Sequence, residues 1–528
     1  MKKIILVLII ILAAFLRLYR LSDYPMGLNA DEAALGYNAY SLLLTGRDEH
    51  GHSWPVNLES FGDFKPAGYA YLLIPFIKIF GLTEFAVRLP SALFGILAVY
   101  FIYLLVKELS TESCALISAA LLAVSPWHLH FSRGGWEVNV ATTLMLIGVW
   151  LFLKKRFELC ALSFALSMYT YQSARLVVPL LGIGLFYLYR PKRIFVALIL
   201  GFLLLIPLTY NLVTTDAGSR LSGVGLLADI GPLNRAKELR GQHPAWSSPL
   251  SRVLHNRPVL YFIQFLKNYT DHFSGDFLFV NGDVIPRNRI PETGLLYFTD
   301  FIFLAIGVVY LLRTKDQRPE AKIIWLWLAV APLAAALTFQ TPHALRAHNM
   351  VIPLTILVSV GFLSIKDYPF SPFSLKRIIL FIIFAIYSWQ FARYLHEYYV
   401  HYPQDYPYAW EYGFKELAAY TESVKDRYSK IFVTDKYDQP YILFLFYSKY
   451  PPQDFQGHHM LTFRDIYNFS TVRDFDKYHF ENTPWDKVRD IHSALIVAAP
   501  EDIPEVGVNI VKTINFPNGQ PAFKIISN

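Results

Sequence analysis

Charge is what this sequence has little of. Only 17% of its 528 residues are charged, against about 25% in an ordinary soluble domain. Cysteine is nearly absent as well: Cys114 and Cys160 both fall in apolar segments, which excludes a disulfide framework or a cysteine metal site. There is no low-complexity tract and no internal repeat, which weighs against a transporter built from inverted repeats. The net charge of +7 is small for this length and calls for no nucleic acid; topology and anionic headgroups account for the basic residues.

What fills the chain instead is apolar and aromatic. Hydrophobic residues make up 54% and aromatics 16%, with 34 Tyr and 41 Phe, as expected where aromatic belts mark membrane interfaces. Mean hydropathy is +0.33. The sequence predicts a polytopic α-helical membrane protein. Apolar runs of about 17–25 residues qualify as spans. They occur near 4–22, 85–106, 113–130, 137–153, 157–173, 176–190, 194–213, 295–312, 323–340, 347–365 and 377–395, about eleven transmembrane helices. The first follows Lys2 and Lys3 and closes on Arg17 and Arg20 without a small-residue cleavage motif, so it reads as an uncleaved span.

Lys and Arg cluster in "KK" at 2–3, "KKR" at 154–156, "RPKR" at 190–193, "RTKDQRPEAK" at 313–322 and "KDYPFSPFSLKR" at 366–377. The opposite turns hold one arginine each, Arg133, Arg175 and Arg346. With the N-terminus cytoplasmic, the positive-inside rule puts 23–84, 214–294 and 396–528 outside. Within 23–84, "PAGYAYLLIPFIKIFGLT" is broken by Pro75 and Gly81 and predicts an interfacial helix rather than a crossing. The 214–294 loop is too long for a passive connection. From 396 onward, "KELAAYTESVKDRYSK" and "QPYILFLFYSKY" read as helices and "IFVTD", "SALIVAAP" and "PAFKIIS" as strands, a small soluble C-terminal α/β domain. The expected domains are thus 1–395 in the membrane and 396–528 outside it.

The spans are nearly free of ionisable groups at mid-depth, where an ion-coupled transporter needs them. Those groups gather in the outer turns: Asp31 and Glu32, Asp63 and Lys65, Arg133 and Glu137, Arg175 beside Gln172, and His343, Arg346 and His348. Such a set could grip a substrate whose tail is in the membrane and whose head is outside. "DEHGH" at 48–52 offers His50 and His52 as ligands for a divalent metal, on a weak pattern. "NYT" at 268–270 and "NFS" at 468–470 are sequons.

Three stretches carry a resemblance: "NADEAALGYNAYSLLLTGRD", "FGDFKPAGYAYLLIPFIKIFGLTEFAVRLPSALFGILAVYFIYLLVKEL" and "SPWHLHFSRGGWEVN". Together they resemble the N-terminal half of the GT-C superfamily of membrane glycosyltransferases. The nearer likeness is to the glycosyltransferase 39 group, with the protein O-mannosyltransferases and the lipid A aminoarabinose transferase. It covers residues 1–210 and rests on topology beyond. It implies transfer of a sugar from a polyprenyl-phosphate-linked donor to a protein, lipid or glycan acceptor on the extracytoplasmic face of a bacterial or archaeal plasma membrane, with inversion. Asp31 would be the base, and Glu32 and Glu137 the accompanying acids. Lys65 of the "KP" motif would meet the donor phosphate, with Arg346, His348 and Arg175 holding the carrier. Asp63, Arg133, Gln172 and His343 are secondary candidates. Phe64 stands where the family often has Glu, which bears on any metal role at that place. Two other readings stay open: a lipid-glycan transporter or flippase, and an inactive binding protein on the same scaffold. For Asp31 the plain structural alternative is a helix N-cap.

Overall fold

The computed structural model describes residues 1–215, 225–244, 248–313, 319–367, 373–463, 470–482, 485–504 and 507–528. Parts of the basic segments at 313–322 and 366–377, and most of the sequon at 468–470, lie outside the described residues. Two compact units emerge. One comprises Met1–Ala14, Gly95–Phe131 and Val138–Tyr394; the other comprises Phe15–Phe94, Ser132–Glu137 and Leu395–Asn528.

The first unit is helical. It holds most of α1 (Lys2–Leu18), the C-terminal part of α4 (Glu84–Leu109), α5 (Glu112–Val124), α6 (Pro126–Arg133), α7 (Glu137–Leu153), α8 (Phe157–Thr170), α9 (Ala174–Tyr189) and α10 (Phe195–Thr214). Later helices span Phe298–Arg313, Pro319–Val330, Val351–Asp367 and Phe373–His396. A helix therefore stands at each apolar run named above. Among the described residues three are long and apolar enough to cross a membrane: α4, α10 and Arg377–Asp405. A fourth crossing results if α5 and α6, bent by 55°, act together. The others are shorter than the roughly 20 residues of a crossing, so helix length alone does not give eleven crossings. Lipid-facing chemistry is plain on α10, where Phe195, Val196, Phe202 and Val213 are all more than 60% exposed. A water-bathed helix would not leave so much apolar surface open.

Small residues set the closest helix packing. A Cβ on Gly307 would sit 2.1 Å from the Leu357 carbonyl oxygen, and one on Gly361 would sit 1.9 Å from that of Phe303. The helices Phe298–Arg313 and Val351–Asp367 therefore touch backbone to backbone, as small residues permit in membrane bundles.

The second unit joins the first outer loop to the C-terminal domain. It carries α2 (Ala30–Thr45), an antiparallel hairpin of β1 (Asn57–Ser60) and β2 (Asp63–Pro66), and α3 (Gly68–Phe80). At 13 residues α3 is too short to cross, and its last turn leaves Ile79 and Phe80 exposed, as an interfacial helix would. The C-terminal domain is a seven-stranded mixed sheet built from β3 (Lys430–Val433), β4 (His459–Leu461), β5 (Val472–Phe475), β6 (Tyr478–Phe480), β7 (Ala494–Ala498), β8 (Ile510–Asn515) and β9 (Pro521–Ser527). The order is β4-β5-β6-β3-β7-β9-β8. The central strand β3 runs parallel to both β6 and β7, and the outer pairs are antiparallel. Such a central parallel strand is buried on both faces, hence the unbroken "IFV" and "ALIVA".

The helix Pro440–Ser448 is buried along Pro440–Phe446 and packs against α2. Gly36 makes that approach possible, since a Cβ there would lie 2.7 Å from the Phe446 ring and 2.7 Å from Val87.

A Gly361→Val substitution tests the helix contact. It should lower stability by more than the about 1–3 kcal/mol of ordinary overpacking, because backbone rather than a side chain must yield. Thermal melts of the purified protein in detergent check this; a wild-type melting temperature would show that the two helices are not in backbone contact.

Candidate functional site

The site begins with the first turn of α2. Asn29 is the N-cap: its side-chain oxygen accepts from the Glu32 amide at 3.1 Å, and the Glu32 carboxylate accepts from the Asn29 amide at 3.3 Å. This reciprocal capping box satisfies two otherwise orphaned donors. The cap is therefore Asn29 and not Asp31. The helix ends on Gly46 in the left-handed conformation.

Glu32 is fully buried and fully used. Arg88, itself fully buried, donates to both its oxygens, Nε to Oε1 at 3.0 Å and Nη2 to Oε2 at 3.2 Å. The Gly135 amide adds a third bond to Oε1 at 2.6 Å. The rest of the Arg88 guanidinium donates to the carbonyls of Leu21, Pro25 and Gly27. Glu32 is thus an architectural residue in this geometry, with no oxygen left to take a substrate proton.

Asp31 is on the other side of the helix, as adjacent helical residues must be. Its carboxylate is 29% exposed and forms an ion pair with the Lys65 ammonium. Lys65 comes from β2, and its ammonium also lies 4.4 Å from the centre of the Phe61 ring at the hairpin tip. A carboxylate at the helix N-terminus is favoured in its charged form. The structure thus brings together a partly open carboxylate and a buried lysine ammonium from segments 34 residues apart.

The next outer-loop turn is equally ordered. Asp48 accepts from the amides of His50 at 3.0 Å and His52 at 2.8 Å, and its other oxygen lies 3.1 Å from His52 Nδ1. His50 is turned to His459 Nε2 at 3.2 Å, and burial with that neighbour lowers its pKa to about 4. His50 thus meets the C-terminal domain through His459, while His52 closes the turn with Asp48. Among the described residues no three His, Cys, Asp or Glu side chains converge as metal ligands.

Glu49, between them, is the residue that sequence reasoning missed. It is fully buried, and one oxygen accepts from the Tyr441 hydroxyl at 3.3 Å while Oε2 has no hydrogen-bond partner. Burial and the neighbouring Asp48 push its pKa up to about 8, with Lys65 pulling the other way. The Lys65 ammonium is thus electrostatically coupled to two carboxyl groups, Asp31 and Glu49. The acid itself was visible in "DEHGH"; its partner Tyr441 stands 392 residues away, beyond any local pattern.

Arg133 is enclosed. It donates to the Tyr398 hydroxyl and to the carbonyls of Leu16, Tyr19 and Tyr24, a clasp for the end of α1 and the loop after it. Asp63 accepts from the Phe64 amide at 2.8 Å in the hairpin. Glu137 opens α7, half-buried.

The remaining candidates belong to the first unit. Arg175 donates to the Met168 carbonyl at 3.2 Å, with Gln172 half-buried one turn earlier. Arg346 donates to Thr338 at 2.7 Å, whereas His348 is wholly buried against Thr142 at 3.0 Å and the ring of His128. The 214–294 loop holds this basic turn. Asp283 accepts from the Ala344 amide at 2.6 Å and lies 3.6 Å from His343 Nδ1, and His272 Nε2 accepts from the His343 amide at 3.2 Å.

The fold of this chain is similar to those of two solved membrane proteins, ArnT and an archaeal oligosaccharyltransferase. More particularly, residues 64–215, under a third of the chain, match the family described as dolichyl-phosphate-mannose-protein mannosyltransferase. Among solved structures, ArnT from Cupriavidus metallidurans in the apo state is similar at a TM-score of 0.55 and 12% identity, covering 99% of this chain and 97% of that one. The same enzyme bound to undecaprenyl phosphate gives 0.52 and 11%, with the same coverage. The Archaeoglobus fulgidus oligosaccharyltransferase tethered to an acceptor peptide gives 0.52 and 13%, over 85% of this chain and 63% of that one. No curated protein matches by sequence.

Two predictions follow from this geometry. Arg88→Met leaves Glu32 buried without its cation and should cost about 3–5 kcal/mol, seen as a large fall in melting temperature; an unchanged melt would show that the pair is not buried as described. Glu49 holds its proton more tightly folded than unfolded. Its contribution is complete below about pH 4.5 and is lost as pH rises to about 8, with a slope of up to about 1.4 kcal/mol per pH unit. Comparing wild type with Glu49→Gln over that range should show a steeper fall of stability with rising pH in the wild type.

Proposed function

We propose that this protein is a glycosyltransferase that moves a sugar from a polyprenyl-phosphate carrier to an acceptor hydroxyl at the extracytoplasmic face of its membrane. The observation that carries the reading is the Asp31–Lys65 pair: a partly open carboxylate at a helix N-terminus, joined to a cation on a separate hairpin. The mannosyltransferase match over 64–215 includes Lys65 and supports the donor class; Asp31 lies before it. The undecaprenyl phosphate carried by the Cupriavidus ArnT structure supports a lipid-linked donor here.

In this reading the donor phosphate draws Lys65 from Asp31, and the freed carboxylate accepts the proton of the acceptor hydroxyl. The acceptor oxygen bonds to the anomeric carbon as the carbon–oxygen bond to the phosphate breaks. The departing phosphate carries the electron pair and is stabilised by Lys65. One displacement inverts the anomeric centre. Glu137 would orient the acceptor, and Arg346 and Arg175, both half-buried, would serve the carrier phosphate. His348 fits the support of that turn better than direct contact, since protein encloses it. The eleven crossings, the exterior assignment of the site and a bacterial or archaeal plasma membrane belong to the same reading.

The test is transfer by purified protein from radiolabelled polyprenyl-phosphate sugars to extracted native lipid and protein acceptors. Asp31→Asn should keep the wild-type melting temperature and lose about 10²–10⁴-fold in rate. Equal transfer by both proteins would remove Asp31 as base. Donor binding without transfer by either, across all acceptor extracts, would favour a carrier-handling protein instead.

A further inference from the structure

The helix Arg257–Asp271, "RPVLYFIQFLKNYTD", has its polarity reversed. Its polar groups face the protein. Asn268 is buried and donates to the carbonyls of Ala336 at 3.2 Å and Thr338 at 3.0 Å, while Gln264 donates to Asn268 at 2.8 Å. The Tyr261 hydroxyl donates to the Asp229 carbonyl at 2.9 Å. The opposite face exposes Val259, Phe262, Ile263 and Leu266, each between 44% and 60% open. These positions recur at intervals of three and four and so form one stripe. The preceding helix, Pro249–Leu254, continues it with Leu250, Val253 and Leu254, all more than half exposed.

A helix on a protein surface in water turns its apolar stripe inward. Here the inward contacts are hydrogen bonds and the outward face is apolar, so the surroundings this helix is built for are apolar. Its 15 residues extend about 22 Å, short of the roughly 30 Å of a bilayer's hydrocarbon core. One apolar stripe backed by a hydrogen-bonded polar face suits a helix lying along a membrane surface. Arg252, Arg257 and Lys267 are exposed on these two helices, complementary to lipid phosphates.

We propose that the helix Arg257–Asp271 lies in the headgroup–acyl boundary of the phospholipid membrane, its Val259–Phe262–Ile263–Leu266 stripe inserted and its basic residues at the phosphates. Residues 249–271 are then a membrane-surface element rather than part of a free outer loop. The buried Asn268 side chain also removes "NYT" as a glycosylation acceptor in the folded protein.

The test uses the full chain with Cys114→Ala and Cys160→Ala, reconstituted in phospholipid nanodiscs. Nitroxide labels are placed singly through Phe262→Cys, Leu266→Cys and, as a water-exposed control in the C-terminal domain, Asp490→Cys. Power saturation compares collision with oxygen, which enriches in lipid, against a water-soluble nickel chelate. Oxygen access should exceed nickel access several-fold at 262 and 266, with the reverse at 490. Nickel access at 262 and 266 matching that at 490 overturns the proposal, as does low access to both reagents. Dipolar broadening at 262 that vanishes on dilution with unlabelled protein would assign the face to a second copy instead, and would also overturn it.

Discussion

The arrangement of the candidate site depends on one buried ion pair. Glu32 and Arg88 lie wholly inside the protein, and a lone charge there would be costly. Their forked contact repays that cost only because every remaining polar position is filled: the Asn29 cap, the Gly135 amide and three carbonyls of the loop after α1. The pair thereby fixes the start and rotation of α2. Rotation matters because Asp31 is the next residue back, and its direction is set by where Glu32 must point.

The same dipeptide type occurs twice with opposite outcomes. In Asp31–Glu32 the first acid is open and the second closed by arginine. In Asp48–Glu49 the first is consumed by backbone amides of its own turn, and the second is buried with a tyrosine instead of a cation. Without a full counter-charge, burial raises the Glu49 pKa, whereas arginine supplies Glu32 with a permanent partner. Composition alone would treat all four acids alike. What separates them is whether a donor is brought to them by a distant segment.

That distinction marks what could be read in the sequence. The helix α3 and the principal strands "IFV", "ALIVA" and "PAFKIIS" follow from short-range rules, and the structure has them. Helices occur at all the apolar runs, but several are cut short, as at Val124, where α5 gives way to α6 at a 55° bend. Strands of three or four residues such as β4 and β6 are too short to show alternation. The β1–β2 hairpin escaped for a similar reason. Its Phe61–Gly62 turn is a two-residue loop with both φ angles positive, and phenylalanine is not a residue that announces such a turn. Asp31 and Lys65 stand in the stretches that carry the family resemblance. Arg88 was present in "RLPSALFG" without any local sign of its partner, 56 residues earlier.

The choice of cation follows the same logic. Arginine is used where the structure must not move. Arg88 and Arg133 are buried, and each spreads its planar donors over several fixed carbonyls. Lysine is used at the open carboxylate. An ammonium on a flexible stem is a point charge that can be shared or handed on, and it meets Asp31 through one oxygen with only an aromatic face as further support. An arginine at position 65 could hold Asp31 by two parallel bonds and would compete with any proton bound for that carboxylate. A lysine can turn toward a phosphate without dismantling a network. The rigid pair at Glu32 and the exchangeable pair at Asp31 are therefore complementary: the first makes the position of the carboxylate reproducible, and the second leaves it available.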